Sequence, residues 1–191
     1  FAAMAAGEAS PLAHKGDYAD LLVAMVRSDK PIVARVNGHA MGGGFGMVAA
    51  STLAVASSEA QLGTPEINVG AFPYMIMSLI YRNVPRKKVN EMILLGERMS
   101  ADEAVTHGLA NKAVAEDEFD AAVDEWATKL ASKSPVLMRL GHDAMYRQQD
   151  MALDDALEFL RSQLSLAFTT EDIQEGVAAF FEKREPKWKG R

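Results

Sequence analysis

Two features of this chain could do chemistry: a run of glycines and a single carboxylate. The run is Asn37-Gly38-His39-Ala40-Met41-Gly42-Gly43-Gly44-Phe45-Gly46. It lies between a strand-like stretch at 32–36 and a helix-like stretch at 45–51. Three adjacent glycines remove every Cβ at that corner, so the backbone can lie close to a ligand. The first N–H groups of a helix have no intrahelical acceptor, and the helix dipole adds partial positive charge there. Such a corner suits an anion. If the anion exists only in a transition state, the corner is an oxyanion hole. A tight packing turn explains the glycine pattern equally well. The carboxylate is Glu66, in Gly63-Thr64-Pro65-Glu66-Ile67-Asn68-Val69-Gly70. A loop punctuated by Pro and Gly beside apolar neighbours predicts partial desolvation, which makes a carboxylate a useful proton acceptor. A cap or surface carboxylate is the plainer account of the same residue.

Other chemistries find less support. His14, His39, His107 and His142 show no ligand spacing, and no paired acidic metal signature occurs, so no metal is expected. Ser51, Ser57 and Ser58 lack the turn that exposes a nucleophilic serine. No Lys-Ser/Thr follows the glycines, and their spacing is not that of a dinucleotide fingerprint. Arg86-Lys87-Lys88 reads as a solvated helix face, and Met75 and Met77 as core or as the wall of an adaptable apolar pocket. A net charge of −6 gives no general attraction to nucleic acid or anionic lipid. No apolar run of about 18 residues appears, so no membrane span is expected. The chain has no cysteine, which excludes disulfides and thiolate chemistry and fits a cytoplasmic protein.

Elements must hold the corner and Glu66 together. Residues 1–16 read as a helical end and a loop. Asp17 can cap a helix bearing Tyr18, Leu21, Leu22, Met25 and Val26 on one face. The strand at 32–36, the glycine corner and a buried strand at 53–56 follow, with another extended piece at 60–62. Pro73 would sit in the first turn of an apolar helix carrying Tyr74, Met75, Ile76 and Met77. Pro85 starts a further helix that Gly96 ends. Ser100-Ala101-Asp102-Glu103 is a capping box, and Gly108 stops its helix. A last strand spans 109–114. Beyond it only helices are expected, broken near Pro135, Asp150 and Thr169-Thr170, and ending in a basic tail at 183–191. The pattern implies an α/β core at 1–114 and a helical region at 115–191.

Taken together, the motifs resemble the enoyl-CoA hydratase/isomerase (crotonase) family. The resemblance rests on Lys30 to Gly44, Leu62 to Gly70, Leu95 to Ala104, Gly108 to Asn111, and Ala179 to Arg184, in family order. It implies a ββα spiral core with a C-terminal helical region, and a homotrimer or dimer of trimers. It also implies an acyl-CoA thioester as substrate, with no separate cofactor and a role in fatty acid metabolism. Gly43 would offer its N–H to the thioester oxygen, with Gly42 and Gly44 beside it. Glu66 would move the proton. Pro65, Phe72, Tyr74 and Met75 would line the acyl pocket, and Phe180 and Lys183 would lie near the coenzyme's adenine and phosphate, across a subunit boundary.

Two departures stand out. The family's other oxyanion donor lies shortly before a stretch that looks like Phe1-Ala2-Ala3-Met4, and the chain opens there with no initiator methionine. We therefore expect sequence upstream of Phe1. Hydratases of the family also carry a first glutamate at the position of Gly46. Its loss leaves Glu66 as the one carboxylate and favours isomerisation, or hydration by a single carboxylate. A non-catalytic acyl-CoA-binding or assembly subunit, and a thioester decarboxylase or hydrolase, are the alternatives.

Overall fold

A computed structural model describes residues 16–191 of the chain. The stretch resembling Phe1–Met4, the rest of 1–15 and His14 lie outside the described residues.

Helix α1 (Tyr18–Val26) starts where Asp17 accepts a hydrogen bond from the Asp20 amide at 3.0 Å. Strand β1 (Val33–Val36) runs parallel to β3 (Leu53–Ser57), which in turn pairs in parallel with β6 (Lys112–Val114). As the middle strand, β3 is buried from Ala54 to Ser57. This explains its unbroken apolar reading, because a parallel strand covered on both faces needs no polar alternation.

A second sheet has the order β2 (Ala40–Met41), β4 (Gln61–Gly63), β5 (Arg98–Ser100), with β2 parallel and β5 antiparallel to β4. The chain visits the first sheet, crosses to the second, then turns into a helix. It does so as β1-β2-α2 (Gly43–Ala50), and again as β3-β4 followed by a 3-10 turn at Pro65–Val69 and α3 (Tyr74–Asn83). This is the ββα progression anticipated for the core.

Helix α4 (Arg86–Leu95) ends at Gly96, whose φ of 69° is left-handed. Helix α5 (Ala101–Thr106) carries the full capping box of Ser100 and Glu103. Phe45, Leu62, Ile80, Met92, Ile93 and Met99 are fully buried between these helices and the sheets. The helical region comprises α6 (Glu116–Ala131), α7 (Pro135–Arg147), α8 (Leu153–Phe168) and α9 (Glu171–Glu182).

Several boundaries differ from the sequence reading. Helix α2 begins at Gly43 rather than Phe45, so two of the corner's glycines belong to its first turn. Pro73 is the N-cap of α3 instead of a first-turn residue. Strands β2 and β5 are two and three residues long, too short to show a period of two. The last strand starts at Lys112 because the Leu109 and Ala110 amides turn back to the Ala104 carbonyl around Gly108.

The basic tail is held in place. Trp188 Nε1 donates to the Ser132 carbonyl at 2.8 Å, the Lys187 amide donates to Glu175 at 2.7 Å, and the Lys189 amide donates to Asp172 at 2.7 Å.

Candidate active site

Three glycines and Glu66 meet at the start of α2. Gly42 has φ 53°, a conformation open to glycine at little cost. A Cβ there would stand 2.8 Å from Glu66 Oε1, so only a bare backbone lets the carboxylate lie so near. The Gly42 amide donates to the Gly63 carbonyl at 2.9 Å, fixing the corner to β4. Gly43 opens the helix and is exposed, and its N–H has no intrahelical carbonyl to reach. A Cβ on Gly44 would meet nothing within 4 Å. The corner therefore brings the first N–H groups of α2 and a carboxylate close together.

Glu66 sits in the 3-10 turn and is 6% exposed. Its Oε2 is buried without a hydrogen-bond partner among the described residues, as is the hydroxyl of Thr64. A buried acceptor without a donor is costly, so natural proteins keep few of them. The turn itself is firm: the Ala71 amide donates to the Glu66 carbonyl at 3.0 Å, and Gly70 closes it with φ 74°. Gly96 packs against the Asn68 side chain and braces the turn from α4.

The other anticipated positions are scattered around this centre. Pro65 and Phe72 are half-buried, and the Phe72 and Tyr74 rings lie 5.3 Å apart. Tyr74 and Met75, by contrast, are exposed. Phe180 and Lys183 are exposed at the far end of α9, which packs on α7 and α8. Lys183 adopts φ 54°, the one left-handed non-glycine among the described residues. A hollow of about 490 Å³ runs along β1 and touches Gly44. Another of about 710 Å³ lies between the approach to β1 and helices α6 and α7. Neither is lined by Glu66.

Two residues that the sequence reading placed on apolar helix faces, Ile76 in a run of bulky side chains shaping the acyl pocket, stand at the centre. The Tyr18 hydroxyl donates to the Gly43 carbonyl. Burial pushes the Tyr18 phenol's pKa up, and the negative charge of Glu66 pushes it further. Ile76 is 4% exposed and presses on Gly46. A Cβ on Gly46 would stand 2.3 Å from Ile76 Cγ2 and 2.5 Å from the Tyr18 hydroxyl oxygen. No motif marks either residue. Helical spacing accounts for both, and only the packing of α1 and α3 on α2 gives them this place.

The profile of the family described as enoyl-CoA hydratase/isomerase matches residues 1–191. Enoyl-CoA hydratase domain-containing protein 3, mitochondrial, of Rattus norvegicus is 42% identical over 159 residues, which are 83% of this chain and 53% of the relative. Carnitinyl-CoA dehydratase of Salmonella heidelberg is 34% identical over 168 residues, covering 85% of this chain and 64% of the relative. The chain thus spans between about half and two thirds of the length of these relatives. An enoyl-CoA hydratase structure from Mycobacterium smegmatis superposes with TM-score 0.88 at 34% identity, over 90% of this chain and 66% of that one. The human enoyl coenzyme A hydratase domain-containing protein 3 gives 0.87 at 35%, over 90% and 68%.

Proposed function

The chain belongs to the enoyl-CoA hydratase/isomerase family and has its fold, and on that footing we propose that the protein moves a proton on an acyl-CoA thioester with Glu66 as its one carboxylate. The observation that carries this reading is the packing at Gly46. The place of a second acidic side chain is taken by Ile76 and Tyr18, while Glu66 stays buried with a free oxygen.

With a 3-enoyl thioester the step balances as follows. The Glu66 carboxylate takes a proton from the α-carbon. The C–H electrons move into the carbonyl, and the enolate oxygen accepts a hydrogen bond from the Gly43 N–H. Protonated Glu66 then returns the proton to the γ-carbon, and the double bond shifts from C3–C4 to C2–C3. One oxyanion donor of this kind contributes about 3–4 kcal/mol to the transition state. Gly42 and Gly44 leave the backbone bare for the thioester, while Pro65, Phe72, Tyr74 and Met75 shape the acyl side. No cofactor beyond the substrate's own coenzyme A enters this reading.

Assembly as a homotrimer or dimer of trimers fits the exposed Phe168, Phe180 and Phe181 on α8 and α9. It would also bring Phe180 and Lys183 to a neighbour's coenzyme. Among the described residues no helix is long and apolar enough to cross a membrane. A cytoplasmic setting rests on the cysteine-free sequence, against rat and other vertebrate relatives named as mitochondrial.

The test is turnover of 3-enoyl- and 2-enoyl-CoA by the full-length protein. Isomerisation should outpace hydration, and Glu66→Ala should lower it by about 10² or more. Full activity in Glu66→Ala would remove Glu66 from the chemistry. Tight acyl-CoA binding without turnover of either ester would mark a binding subunit instead.

A further inference from the structure

We propose that Tyr18 and Ile76 close the place from which a second acidic group would hold an attacking water, and that the Tyr18 hydroxyl also fixes the turn carrying the Gly43 amide. The inference rests on the thioester reading above and assigns its selectivity. Tyr18 is a positioning residue, and the pair decides for proton return over hydration.

The geometry has three parts. First, the hydroxyl oxygen and Ile76 Cγ2 both lie within 2.5 Å of where a side chain at position 46 would begin. That locus is filled from two helices at once. Second, the filling is chemically unfit to activate water. Ile76 offers no polar atom, and a lodged water needs two to four polar partners. The Tyr18 proton is already given to the Gly43 carbonyl. Burial and the Glu66 charge keep that proton on the phenol, so the oxygen cannot serve as a base at neutral pH. Third, the bond to Gly43 works with the one from Gly42. The Gly42 amide is tied to β4 and the Gly43 carbonyl to α1. The Gly43 N–H belongs to the peptide between those two tethers, whose own carbonyl, that of Gly42, accepts from the Gly46 amide at 3.1 Å, so its direction is set before substrate arrives, which is the preorganisation an oxyanion donor requires.

The experiment uses the full-length protein with 3-enoyl- and 2-enoyl-CoA and four variants: Tyr18→Phe, Gly46→Glu, Gly46→Glu with Ile76→Ala, and Glu66→Gln. Tyr18→Phe keeps the ring and removes the hydroxyl. It should lower the isomerisation kcat roughly five- to tenfold and leave KM within about twofold, the size of one lost hydrogen bond. The double variant clears Ile76 from beside position 46 and places a carboxylate there to hold water, so it should raise the ratio of hydration to isomerisation about tenfold or more. A role in folding alone would lower both rates together and leave the ratio unchanged.

Gly46→Glu alone should gain no hydration, because the locus is occupied. Wild-type kcat and KM in Tyr18→Phe, or a hydratase created by Gly46→Glu alone, would overturn the proposal. Should the double variant fail to fold, those two measurements still decide it. Glu66→Gln separates the levels. Retained isomerisation there ends the thioester reading itself, whereas an inactive Glu66→Gln beside an unaltered Tyr18→Phe ends only this inference.

Discussion

A methyl group at position 46 would have to displace something. Its carbon would lie 2.3 Å from Ile76 Cγ2 and 3.0 Å from Ile76 Cβ, so no rotation of Ile76 about its Cα–Cβ bond clears both. Gly46→Ala should therefore lower the unfolding free energy by about 1–3 kcal/mol, the range for overpacked cores. Ile76→Ala in the same chain should recover part of that loss, because the two substitutions compete for one volume. Urea unfolding of the two single variants and the double variant checks this, and strictly additive values would mean that the residues do not share the space. Gly42→Ala meets a different obstacle, a left-handed backbone with Glu66 Oε1 2.8 Å from the new carbon. There the Glu66 carboxylate must move, so under the proposed function turnover should fall by far more than the loss of folded protein explains. The missing side chain at Gly46 was legible in the sequence, and so was Glu66, because each is one letter in a motif. What fills the gap was not. Tyr18 and Gly43 are 25 residues apart, and only the folded packing of separate helices brings them together.

Local elements were legible where their signals are local. The capping box at Ser100 is complete: the Glu103 amide donates to Ser100 Oγ at 3.2 Å, and the Ser100 amide donates to Glu103 at 2.8 Å. That backbone donor, followed by the Lys88 ammonium, holds the Glu103 carboxyl below its ordinary range. Ser100→Ala should lower stability by about 1 kcal/mol and leave acyl-CoA turnover of the folded protein unchanged. A thermal melt paired with a rate measurement reads both at once, and an unchanged melt would mean that α5 needs no cap. The motif S-x-x-E carries all of this within four letters. Strands β2 and β5 carry no such signal. Ala40 and Met41 form a strand only because β4 lies beside them, with Ala40 opposite Leu62 and Met41 opposite Gly63. Their pairing nonetheless sets Gly42 against Gly63, and with it the distance from the corner to Glu66.

Across the whole molecule the last nine residues tie the helical region together through carboxylates on α9, Asp172 and Glu175 among them. Asp172 is fully buried; burial works against its charge, but Ser134 and the Lys189 and Gly190 amides outweigh that and keep its pKa below normal. Glu175 is held down at about 2, because Arg184 pairs with it and the Lys187 amide donates to it. The sequence shows only a run of basic letters here, and a solvated tail would read the same. The sign of the pH effect follows from the direction of these shifts. A carboxyl whose folded pKa is depressed binds its proton more readily in the unfolded chain, so it contributes stability above the unfolded value and loses it as pH falls through the folded one. For Glu175 that window runs from its reference 4.5 down to about 2. Arg184→Met removes the main cause and leaves the Lys187 amide in place. Its stability should consequently fall less steeply than that of the natural protein as pH is lowered through this window, while the two curves run parallel above it. Urea unfolding at a series of pH values measures both slopes. Equal slopes below the reference value would show that Arg184 is not what holds Glu175 ionised, and that the tail's amides, Trp188 and the Glu171 ion pairs tie it down without that pair.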